Sequence, residues 1–139
     1  MTIIQAVNEV DNLKPNMYEL PEKIKWLSRL DLRIFEQILL THELSEEEKE
    51  PFQDDSFGPL ADGELVFVGY DENDQDKELI VKEPYDELYI HWLSAQIDLN
   101  NREFLGFNNS NAMFEATYGE FRNAFNRTHI PKSAKKRYF

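Results

Sequence analysis

The run Asp71-Glu72-Asn73-Asp74-Gln75-Asp76 places four carboxylates in six residues, a density at which calcium binding has to be tested. In an EF-hand loop the sixth position is a turn-making Gly and the twelfth a bidentate Glu. Here those positions hold Asp76 and Lys82, so the spacing fails and a solvated acidic loop is expected. The three histidines, His42, His91 and His129, include no pair at the helical spacing that would put two imidazoles on one metal. No serine sits in the Gly-flanked elbow that exposes a nucleophile, and the five glycines form no phosphate cradle. With no cysteine there is no thiol nucleophile, thiolate metal site or disulfide. Carboxylates abound, but no spacing singles out an acid/base pair. The expectation is a non-enzymatic chain that needs no cofactor and no metal.

The charged residues suggest contacts instead of catalysis. The net charge of −12 is uneven: residues 43–87 hold 17 acids and three bases, while residues 131–139 hold Lys132, Lys135, Lys136 and Arg137 and no acid. A basic end of one copy could dock on the acidic middle of the next, steered by opposite charge. Candidate subunit or partner contacts are therefore Arg127, His129, Lys132, Lys135, Lys136 and Arg137 on one side, and Asp71, Asp74 and Asp76 on the other. A rival reading makes the acidic middle the binding surface of a small adaptor or inhibitor that takes a basic protein.

The elements that must carry these residues read as mainly α. Thr2 can cap a first helix over 2–13, with Gln5 completing a capping box and Ile3, Ala6, Val7 and Val10 on one face. Pro21 suits the first position of a second helix, whose stripe Ile24, Leu27, Leu30 (or Leu32), Ile34, Phe35 and Ile38 runs to about residue 41. Over residues 42–83 the helical period is lost. Two β-like runs, 64–70 and 78–81, joined by the acidic loop, predict a small hairpin. Pro84 is read as opening a third helix with Leu88, Tyr89, Trp92, Ala95, Gln96 and Leu99 along one side. Gly106 and Asn108-Asn109-Ser110 then separate it from a fourth carrying Phe114, Tyr118, Phe121 and Phe125, with Ser110 or a neighbouring Asn as cap. That aromatic stripe is read as core, and helices three and four as antiparallel.

The fold expectation is about four helices in a small bundle, with a short β-hairpin excursion between helices 2 and 3. Residues 1–130 form one domain, with 43–83 as its acidic excursion and 131–139 as a basic tail; 139 residues suit one core. No apolar run has the length of a membrane helix, and the first residues lack the pattern of a secretion signal.

The segments Pro84-Tyr85-Asp86-Glu87-Leu88-Tyr89, Trp92-Leu93, Ala95-Gln96-Ile97-Asp98, Asn108-Asn109-Ser110 and Phe125-Asn126-Arg127-Thr128-His129-Ile130-Pro131-Lys132 carry a family likeness. So do Ile4-Gln5-Ala6-Val7-Asn8, Leu13-Lys14-Pro15-Asn16 and Lys25-Trp26-Leu27-Ser28. In these the chain resembles head-tail connector (adaptor) proteins encoded in tailed-phage and prophage structural cassettes of Gram-positive bacteria. The resemblance implies a non-enzymatic helical protomer that joins a ring on the portal, with other head-tail joining proteins as neighbours. DNA would pass the ring without sequence-specific binding, eased by an acidic lumen. It also implies the host cytoplasm during assembly and the head-tail junction of the virion afterwards. The acidic stretch 46–60 is longer than a minimal connector requires.

Overall fold

A computed structural model describes residues 1–53 and 65–132. Its elements are α1 (Ile3–Leu13), α2 (Leu20–Ile34) running on into a π-helical turn (Phe35–Leu39), the short α3 (Glu46–Lys49), α4 (Glu87–Asn100) and α5 (Phe104–Thr128), with 3-10 turns at Glu50–Phe52 and Glu72–Asp74. None of these helices is long and apolar enough to cross a membrane.

Helix α1 starts where local chemistry dictates. The Thr2 hydroxyl accepts from the Gln5 backbone N–H, and the Gln5 side chain accepts from the Thr2 N–H, so two orphan donors of the first turn are satisfied. Its four predicted apolar residues are buried. On α2 the stripe is also as predicted, with Leu30 inside and Leu32 out.

Four helices alternate in direction. The Met1 amino group lies 3.8 Å from Asp86 at the start of α4, and Lys14 is ion-paired with Asp98 at its end, so α1 and α4 run parallel. Helix α2 runs against α4: Tyr18, just before α2, donates to Asn101 beyond the α4 C-terminus (2.8 Å), the Trp92 indole N–H reaches the Trp26 carbonyl, and Tyr89 reaches Asp31. Helix α5 packs antiparallel to α4, with Trp92 against Phe114 and Tyr85 against Phe121. One end of the bundle thus holds the α1–α2 and α4–α5 connections. The other holds the C-termini of α2 and α5 with residues 42–53, 65–68 and 77–86 around them, while Tyr70, Asp71 and Glu72 lie along α2 beside Pro21, Lys25 and Ser28.

Three sequence expectations are corrected. No strand forms among the described residues, and no hairpin; Glu64 itself lies outside them. The backbone donors that a hairpin ladder would use are taken elsewhere: Leu79 N–H by the Met1 carbonyl, Ile80 N–H by Asp31, Val81 N–H by the Tyr89 hydroxyl and Tyr70 N–H by Ser28. Pro84 does not open α4, because residues 82–86 form a turn and the helix begins at Glu87.

Neither Gly106 nor Asn108-Asn109-Ser110 breaks the chain, and neither Ser110 nor an Asn caps; α5 already starts at Phe104. The reversal is three residues long, helped by Arg102 in the left-handed region at φ 60°. Gly106 serves close approach, since a Cβ there would stand 2.8 Å from the buried Asp98 carboxylate that holds Lys14. By contrast, a Cβ at Gly119 would meet nothing within 4 Å. Gly119→Ala should therefore stabilise by roughly 0.5–1 kcal/mol through helix propensity. Gly106→Ala should instead lose about 1 kcal/mol or more to the clash. Opposite shifts in urea midpoint check the pair.

Candidate functional site

At the end where α2 and α5 finish, the bundle opens into a cavity of about 890 Å³. Phe121 and Phe125 of α5 form one wall, Leu39 and Phe52 another, and Phe67 and Leu79 from the non-helical stretch a third. The polar groups at its mouth include Glu47, Glu48, Lys82, Glu83, Arg127 and His129. A concave apolar space of this size with a few polar groups is the form of a binding site.

Glu48 and His129 meet there at 2.6 Å, with the imidazole stacked flat on Phe125 (3.8 Å between centroids, 1° between planes). Ser45 caps α3 through a second capping box, which aims Glu48 inward. Partial burial raises the Glu48 carboxyl, but the Ser45 and His129 hydrogen bonds outweigh it and leave its pKa lowered. A carboxylate beside an imidazole could in principle serve acid/base chemistry. Here Nε2 is bound to Glu48 and Nδ1 lies 2.8 Å from the Thr128 hydroxyl and 3.2 Å from the Phe125 carbonyl, so both ring nitrogens are engaged. The pair works as a clasp between α3 and the end of α5. His42 is tied likewise, Nδ1 to the Ile38 carbonyl (2.6 Å) and Nε2 to Asn126 (2.7 Å).

The second polar cluster lies in the core. Asp31, fully buried on α2, accepts from Tyr89 (2.6 Å), from Tyr70 and from the Ile80 N–H (3.2 Å). Burial pushes its carboxyl up to about 6 despite these donors, and burial beside the carboxylate raises both phenols. Because the folded pKa exceeds the unfolded one, the proton-linked part of the Asp31 contribution to stability is fully present below the ordinary carboxyl value of 3.8 and is lost as pH rises through about 6, whereas its hydrogen bonds remain. Two pKa units correspond to about 3 kcal/mol as an upper bound. Wild type should thus gain stability as pH falls from 7 to 5, a slope that Asp31→Asn removes; urea midpoints against pH test this.

The predicted contact residues are only partly brought together. Arg127 and His129 share the cavity mouth. Lys132 is exposed, its N–H donating to the Thr41 carbonyl beside the His42–Pro131 bridge. Lys135, Lys136 and Arg137 lie outside the described residues. Asp71 and Asp74 are used locally: Asp71 caps the 3-10 turn by accepting from Asn73 (2.8 Å), and Asp74 accepts from the Asp71 N–H (2.9 Å). Asp76 is exposed. Sequence reasoning missed Glu48, Asp31 and the cavity. For Asp31 a signal existed, since an Asp falling between Leu27, Leu30 and Ile34 on an apolar stripe requires buried partners; Glu48 and the cavity carry none.

Comparison with family models, curated proteins and solved structures found no match to this chain.

Proposed function

We propose that this chain is a non-enzymatic assembly protein, a connector protomer that joins the ring between the head and tail of a tailed phage. One observation carries the assembly part of the reading. No buried side-chain polar atom among the described residues lacks a hydrogen-bond partner, whereas strongly exposed apolar side chains gather at the end holding the α1–α2 and α4–α5 connections. Met17 there is 98% exposed, Leu105 78% and Phe104 61%, and Leu13 and Leu99 stand beside them in the chain. Scattered apolar residues are normal on a surface, but a group at one end marks an interaction site.

The connector part rests on the sequence resemblance and on a helical body to which it is suited. The portal is the expected partner, and the acidic surface is suited to a channel through which DNA slides. The test is to mix the full chain with portal rings from the same structural cassette and image the particles. Extra density on one face of the ring is the expected result. Bare portal rings, together with a salt-sensitive one-to-one complex with a basic protein, would replace the connector by the acidic adaptor.

A further inference from the structure

The exposed apolar end and the apolar cavity lie at opposite ends of the same helix. Helix α5 begins at Phe104 and Leu105 and finishes in the cavity wall at Phe121, Phe125 and Thr128. Its 25 residues span about 37 Å at 1.5 Å per residue, so a copy cannot reach its own cavity with its own Phe104. Five of the nine exposed large apolar side chains among the described residues belong to the first end.

We infer that the chain associates head to tail, with Phe104 and Leu105 of one copy seated in the cavity lined by Phe52, Phe121 and Phe125 of the next. This deepens the assembly reading and rests on it. A cavity of about 890 Å³ has room for several large side chains, and its walls offer aromatic faces to Phe104. Charges of both signs stand at the two surfaces and are available to pair: exposed Arg102 and Glu103 flank the protruding end, and exposed Glu47, Lys82, Glu83 and Arg127 stand at the cavity mouth. Because the two patches differ, the contact is heterologous. Repeating it closes a ring or extends a filament, which a two-fold pairing of one patch with itself cannot do.

The opposed placement of the patches allows a direct test by mixing, using the full chain in sedimentation velocity. One variant carries Phe104→Glu with Leu105→Glu at the protruding end. The other carries Ala124→Arg at the cavity, with Val66→Arg as its substitute should the first disturb the fold; helical circular dichroism and thermal midpoint verify each. Wild type is expected to form species larger than two copies as concentration rises. Each variant alone should associate at least tenfold more weakly. Their equimolar mixture should form a two-chain species and stop there, since only one intact end and one intact cavity remain.

A mixture that stays single-chain overturns the contact. So does association that survives the cavity block, which would mean that the apolar ends meet each other and that the cavity takes some other occupant. If wild type stays monomeric yet docks on portal rings, the end-to-end contact falls and the connector reading stands. If copies join end to end but ignore portal, the contact stands and the connector reading falls.

Discussion

Asp31→Ala should cost more stability than any other single polar change among the described residues, about 4 kcal/mol or more by chemical denaturation. The buried carboxylate is the acceptor for two phenols and one backbone N–H, of which the Tyr89 hydroxyl is fully buried and the other two partly so. Removing it strands three donors, each at about 1–3 kcal/mol of desolvation without return. Against a total stability of about 5–15 kcal/mol for a domain, that loss is large. Its structural consequence should also be specific. Asp31 and Tyr89 together hold the backbone of Ile80 and Val81, so amide exchange should accelerate first over residues 65–82, before α1 or α5 is affected. Tyr89→Phe, which leaves Val81 N–H and one Asp31 oxygen without that partner, should lose about half as much. A loss for Asp31→Ala below 1 kcal/mol would mean that the donors find water on opening.

Phe114→Ala should lose about 3–5 kcal/mol, the range for emptying a fully enclosed aromatic site. Phe114 is wholly buried and lies between Trp92 (5.1 Å) and Tyr118 (5.6 Å), at the centre of the α4–α5 contact. The same truncation ten residues earlier should behave differently. Phe104→Ala removes an exposed ring and should change stability by about 0.5 kcal/mol or less, while weakening association between copies. Urea titration of both variants, beside their sedimentation, separates the residue that holds the fold from the one assigned to contact.

The parts of this fold legible in the sequence are those decided within a few residues. Thr2 and Gln5 make a capping box because the partners are three positions apart, and the α2 and α5 stripes emerge because one face of each is buried. Helix α4 was harder to read because α1, α2 and α5 all pack on it. Ile90, Leu93 and Ile97 are buried as well as Leu88 and Tyr89, while Leu99, placed by spacing on the inner side, is exposed at the bundle end.

The expected hairpin does not form, for a related reason. Leu79-Ile80-Val81 has strand composition, but β propensity expresses fit to a half-buried surface and does not choose the partner. The partners here are Met1, Asp31 and Tyr89, remote in sequence. Likewise Gly106 reads as a helix stop until its closeness to Asp98 is known, because tertiary packing overrides local propensity. At the candidate site, Arg127 and His129 were named from sequence as contact residues. The enclosing walls were not legible, since Leu39, Phe52, Leu79 and Phe121 come from four distant segments with no shared period.

The most direct test of the assembly account is the solution mass of the full chain by sedimentation velocity over a wide concentration series, at low and high salt, alone and with portal rings. The account predicts species beyond two copies, or assembly that portal nucleates, persisting at high salt because the proposed contact is mainly apolar. A single-chain mass at every concentration, unchanged by portal, would contradict it.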